Sequence, residues 1–393
     1  MEGKGNRRWV VLLAGMLIQL CAGIIYMWSV FKGPVATYLG WDAAGASLTS
    51  SIMLACFVIG IIVGGRSQDV LGPRKVVLAG SLLMSVGMLL TALVRPGAPW
   101  LVYLTYGVIS GLGTGAVYTT AVSAIQKWYP DRRGFATGMM VAAFGFSLVV
   151  FAPLATSLLG SRGVPFTFTA IGLIFLAVCG LASMLVDNPP AARGGGAAAA
   201  QKKQYATSEM LRTPQFYLIA LSMMLVLSAY FILNPMMKSL GAERGLTDEL
   251  STLAVMLTGI ASASGRLLFS WLSDLVGRKG AIALLIGVTL VAVLCMIGAQ
   301  GIWYIVCLAA IAFAFGGSAG VYPALTADLY GTRHMGLNYG CVMAGFGISA
   351  LLFPVLSGRL AAGGVYTASF VMCAAACAAA LALVALIKPI PEK

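Results

Sequence analysis

Apolar stretches of about 20 residues recur from one end of this 393-residue chain to the other. A helix rises about 1.5 Å per residue, so a stretch of about 20 residues crosses the ~30 Å hydrocarbon core of a bilayer. Twelve such stretches are readable, near residues 10–31, 45–65, 76–94, 101–125, 135–158, 165–186, 214–236, 250–273, 280–298, 302–326, 336–358 and 366–387. In hydrocarbon a backbone must satisfy its own hydrogen bonds, which leaves a helix as the form for each. The expectation is an all-α polytopic membrane protein with twelve transmembrane helices. Composition agrees: 60% hydrophobic and 9% charged residues are not those of a soluble domain. Lys4, Arg7 and Arg8 before the first apolar run imitate a signal peptide, but the run is too long and no small-x-small site follows. It reads as the first span.

The net charge of +13 follows topology rather than a nucleic-acid partner. With both termini in the cytosol, inner segments hold eighteen Lys and Arg against six in outer segments. This positive-inside bias sets the orientation and implies contact with anionic membrane lipid. A bacterial inner membrane is the expected location. The eight cysteines all lie in predicted spans without a CxxC pair, and His334 is the sole histidine. Packing thiols are expected, with no metal site and no cofactor.

Residues 187–213 form the longest internal loop, with Pro189-Pro190, glycine and alanine runs and Lys202-Lys203. It divides the chain into an N-terminal six-helix half (1–187), a cytosolic linker (188–213) and a C-terminal six-helix half (214–393). The halves superpose at an offset of 202 to 205 residues. Tyr26 falls on Tyr230, Tyr118 on Tyr322, Asp69 and Gly72 on Asp274 and Gly277, and Phe144 on Phe346. Two pseudo-symmetric halves of six spans each, entering from the same side, put a substrate between them near the midplane.

Arg266 breaks that symmetry. Between Glu249 and Asp274 it is the sole charge, and it lies eight residues from Asp274, roughly 12 Å along a helix. Burying a guanidinium there costs at least ~2.5–3.5 kcal/mol, so it is expected to meet an anion in a cavity; a structural hydrogen bond to backbone carbonyls, or a snorkelling side chain, is the alternative. Its repeat mate is Ile61, so the scaffold itself does not require a cation. Tyr118 and Tyr322 lie nine and six residues from the charges Lys127 and Asp328, a depth similar to that of Arg266, with Tyr26 deeper. Phenols inside a bilayer need partners. A small carboxylate held by one guanidinium fork and two or three hydroxyls would satisfy the group. The middle of every span is free of Asp and Glu, so the obvious proton carrier is missing. No nucleophile–base or metal constellation is present, and an enzyme is not expected.

Gly65-Arg66-Ser67-Gln68-Asp69-Val70-Leu71-Gly72-Pro73-Arg74-Lys75 follows span two, and Ser270–Lys279 repeats it more weakly after span eight. The pattern GxxxDxxGxRK resembles the signature loop of the major facilitator superfamily. Its glycines permit a tight loop. Its aspartates can accept from helix N-terminal amides or basic groups. Asp69, Gly72, Arg74, Asp274, Gly277 and Arg278 are therefore expected to act in gating.

Further residues narrow the resemblance. They are Asn6-Arg7-Arg8-Trp9, the run GIIYMWSVF at 23–31, Leu39-Gly40-Trp41, Thr213-Pro214-Gln215-Phe216, Gly265-Arg266 ahead of Trp271-Leu272-Ser273-Asp274, and Asn338-Tyr339-Gly340. Across nearly its whole length the chain resembles the oxalate:formate antiporter family of that superfamily. The resemblance implies the major facilitator fold. It also implies that Arg266 binds a substrate carboxylate, boxed in by Tyr26, Tyr118 and Tyr322. Oxalate carriers of the family also have a lysine in span eleven, where this chain has Phe346. One buried cation balances one carboxylate, and a dianion would leave a negative charge unpaired in low dielectric. The expected substrate is a small monocarboxylate of the formate, pyruvate or lactate class, exchanged by a monomer. Proton-coupled symport, an oxalate or other dicarboxylate antiporter, and a drug or sugar carrier are the alternatives.

Overall fold

The computed structural model describes residues 2–190, 204–360 and 366–388. Much of the expected linker, residues 191–203, lies outside the described residues. Eleven described helices are long and apolar enough to cross a membrane. One of them, α6 (Arg133–Ser183), has 51 residues and breaks at Gly163, where φ is 77° and ψ is −179°. Each limb is long enough for a crossing of its own, which brings the spans among the described residues to the twelve read from hydropathy.

In the first half, α1 (Glu2–Ala22) passes through a 3₁₀ turn (Gly23–Tyr26) into α2 (Trp28–Leu39). The apolar run fades at Lys32, yet the helix continues until Gly40, whose left-handed φ of 63° ends it. Then come α3 (Ala43–Leu71), capped by the Asp42 carboxylate on Gly45 N–H, and α4 (Pro73–Ala92). The π-wound Tyr103–Ser110 leads into α5 (Gly111–Trp128), and α6 follows.

In the second half, the short α7 (Thr207–Met210) precedes α8 (Pro214–Val226), α9 (Ser228–Leu233) and α10 (Met237–Glu243). The expected span 214–236 covers α8, α9 and the 3₁₀ turn at Asn234–Met236, and α10 follows beyond it. Pro235 has no N–H to give to a helical ladder. Then follow α11 (Asp248–Val276), α12 (Arg278–Gly298), α13 (Ile302–Tyr330), α14 (Met335–Val342), α15 (Ala344–Leu360) and α16 (Thr367–Leu386).

By contact the chain forms two units. The first takes Met1–Pro130, Ala143–Gln204 and Gly331–Gly340; the second takes Asp131–Ala142, Tyr205–Tyr330 and Cys341–Lys393. The first turns of α6 therefore pack within the second unit, and α14 within the first. In the second unit α11 and α13 approach most closely: a Cβ on Gly265 would collide with the Phe313 carbonyl. Leucines and valines cover the outer faces, where lipid would meet them, while Ser, Thr and Gly fill the interfaces.

Candidate functional site

In the second unit, Arg266 is 3% exposed on α11. Its Nη1 donates to the Val141 carbonyl on α6 at 3.0 Å. Two turns along α11, the Asp274 carboxylate accepts from the first amides of α6, Gly134 N at 3.0 Å and Phe135 N at 2.8 Å. A carboxylate at a helix N-terminus satisfies amides that have no partner within the helix and meets the positive end of its dipole.

Arg278 bridges Asp274 at 2.5 Å and gives its Nε to Asp328 Oδ2 at 2.8 Å. Arg133 closes the chain on Asp328 Oδ1 at 2.6 Å. Asp274 and Arg278 are thus joined in one four-residue network with Arg133 and Asp328. The spacing of the repeated loop does not point to those last two. Charges at the ends of two spans were their only sequence mark.

Gly277, with φ 83° and ψ 154°, turns the chain from α11 into α12; Gly72 does the same between α3 and α4 with φ 85° and ψ 161°. A side chain is strained at such φ, so both loops need glycine. In the first unit, Asp69 accepts from Leu337 N at the start of α14, 3.2 Å away. Gln68 supports it, donating to Asp69 Oδ1 and to Ser123 Oγ, both at 2.8 Å. Arg74 is exposed at the start of α4.

The expected aromatic residues fall into separate clusters. In the first unit, Phe144 gathers Tyr26 (ring centroids 5.5 Å apart, 79°), Tyr118 (5.1 Å, 68°) and Phe57 (6.1 Å, 36°). Tyr339 is buried against Tyr118. In the second unit, Phe346, the repeat mate of Phe144, stands edge-on to Phe231 at 5.0 Å and 6.4 Å from Phe315. Phe315 in turn stacks on Tyr230 at 3.7 Å and 15°. Tyr322 is apart from that cluster's ring contacts. It is fully buried, and its hydroxyl shares a 3.1 Å hydrogen bond with Ser222. Phe144 as an aromatic hub was readable only as one term of the repeat, and Ser222 carried no sequence signal.

The profile of the Major Facilitator Superfamily matches residues 11–340 and 219–393. The oxalate:formate antiporter of Oxalobacter formigenes is 27% identical over 388 residues, covering 98% of this chain and 92% of that protein. Monocarboxylate transporter 13 of Rattus norvegicus is 27% identical over 379 residues, covering 94% and 86%. Among solved structures, the superfamily transporter FucP superposes with a TM-score of 0.75 at 15% identity, covering 96% of this chain and 99% of that one. At that identity the likeness is one of fold.

Proposed function

The chain belongs to the Major Facilitator Superfamily, and from that premise we propose that it carries a small monocarboxylate anion by alternating access. A multi-pass membrane transporter, not an enzyme, is the class its family defines. The observation that carries the substrate reading is Arg266: one permanently charged guanidinium, 3% exposed, within a helix otherwise uncharged from Leu250 to Ser273. Such a cation is costly unless an anion or strong acceptors meet it. Relatives named for oxalate, formate and monocarboxylates support a carboxylate as that anion. Phe346, in its cluster of rings, offers no second charge, and this favours a monoanion such as formate, pyruvate or lactate over oxalate.

In this reading Arg266 forks the carboxylate, with Tyr26, Tyr118 and Tyr322 supplying the surrounding rings and hydroxyls. Asp69, Gly72, Arg74, Asp274, Gly277 and Arg278 govern opening at the end that bears the signature loops. That end and both termini lie in the cytosol of a bacterium, and residues 188–213 link the halves 1–187 and 214–393. The carrier works as a monomer in the inner membrane.

Counterflow in proteoliposomes against labelled formate, pyruvate, lactate and oxalate tests the reading. Wild type should accumulate one or more of the monocarboxylates, and Arg266→Gln, folded and inserted, should accumulate none. Substantial counterflow by the variant would remove Arg266 from the site.

A further inference from the structure

The first turns of α6 run along α11 in one continuous seam inside the second unit. At one end the Asp274 carboxylate holds the Gly134 and Phe135 amides. One turn further, Gly138 is pressed onto α11 so closely that a Cβ would stand 2.6 Å from Ser270 Cβ and 2.8 Å from the Arg266 carbonyl. At the other end Arg266 Nη1 binds the Val141 carbonyl. Positions 134, 138 and 141 share a helix face, as do 266, 270 and 274.

The first unit repeats this seam between α3 and α14. Asp69 holds the Leu337 amide, the Gly65 and Gly336 backbones touch, and Gly340 rests on Ile61 and Ile62. The repeat sets Ile61 where Arg266 stands. Each seam has a carboxylate fastener at one end. Only the seam of the second unit has a cation at the other.

We propose that Arg266 is a substrate-sensitive fastener. Without substrate it ties α11 to the main chain of α6 through the Val141 carbonyl; a bound carboxylate draws the guanidinium away and loosens this seam alone. The inference rests on the reading of Arg266 as the carboxylate-binding residue.

Its physical ground is the difference between the two acceptors. The carbonyl is neutral and takes one bond. A carboxylate is charged and takes two from the guanidinium fork, and charge-assisted bonds are roughly twice as strong as neutral ones. The Val141 carbonyl keeps the helical bond of α6, so what the departure of Arg266 removes is the link between α6 and α11, and at 3% exposure little water is at hand to replace it. A ligand shifts an equilibrium only through differential contacts with its two states. The guanidinium supplies that difference in this seam, and Ile61 supplies none in the other.

Hydrogen–deuterium exchange of the full chain in lipid nanodiscs tests this, read on peptides covering 133–142 and 331–340. Without any carboxylate, Arg266→Gln should exchange about tenfold faster than wild type over 133–142, the equivalent of one hydrogen bond to a charged group, and equally over 331–340. Saturating formate or pyruvate, against chloride at equal ionic strength, should speed wild type over 133–142 and leave the variant unmoved.

Equal carboxylate-free rates in the two proteins overturn the fastener. Indifference of wild type to an anion that counterflow shows to be carried overturns the substrate sensitivity and leaves the transport reading standing. If neither anion is carried and neither alters exchange, the sensitivity falls together with that reading. Should Arg266→Gln not fold, Gly138→Ala wedges the same seam without touching the guanidinium. It should raise carboxylate-free exchange over 133–142 and blunt the response to the carried anion; an undiminished response overturns the proposal.

Discussion

Arg266 and Phe346 divide the charge question between them. Arg266 is buried on α11 and holds a main-chain carbonyl; Phe346 is half-buried on α15, edge-on to Phe231. Replacing the ring with an ammonium, as in Phe346→Lys, adds the second cation that a dianion needs. The folded variant should gain oxalate counterflow and lose preference for formate in competition assays. A variant that folds and rejects oxalate at every concentration would place position 346 away from the anion. Arg266 was legible in sequence because a charge in an apolar run has a fixed physical cost wherever the helix lies. Its partner was not legible, because a backbone carbonyl leaves no mark on the residue that bears it. The Ser222–Tyr322 bond was hidden for a related reason: 100 residues separate the two, and only the packing of α8 on α13 brings them together.

Helices follow hydropathy, and their interruptions follow local chemistry. The spans were readable from about 20 apolar residues each, and Gly163 and Pro165 mark the break in α6. Less readable was the segmentation of the seventh span into α8 and α9, whose residues are largely apolar on both sides of the break. Hydropathy reports how long a segment is in lipid, not whether its ladder is continuous. The tight pairing of α11 with α13 is a property of the same scale, because small residues let backbones meet. Gly265→Ala should drive the new methyl into the Phe313 carbonyl and lower stability by about 1–3 kcal/mol, the usual cost of overpacking. The loss should appear as a lower midpoint in thermal unfolding followed by size-exclusion fluorescence. An unchanged midpoint would mean that α11 and α13 can part at no cost.

For the whole molecule, the internal repeat was the deepest sequence signal, and it survives in backbone detail: Gly72 and Gly277 adopt nearly the same φ and ψ. What the repeat could not reveal is that Asp131–Ala142 and Gly331–Gly340 pack in the units of their contacts rather than of their chain neighbours. Those placements depend on which helix ends meet, and periodicity does not encode that. The asymmetry laid over the repeat, a guanidinium against Ile61, bears on coupling. In the proposed exchange, with no acid at mid-span, a bound monoanion would neutralise Arg266, so the loaded carrier should reorient more readily than the empty one. Vesicles preloaded with unlabelled pyruvate should take up labelled pyruvate much faster than empty vesicles at equal pH. Equal rates, with uptake driven by an inward proton gradient, would instead establish symport. An exchange of one monoanion for another also moves no net charge in either direction. Membrane voltage, worth ~2.3 kcal/mol per elementary charge for each 100 mV, then has nothing to act upon. A cell could run this exchange at the same rate whether its membrane is energised or collapsed, with the direction set by the two carboxylate gradients alone.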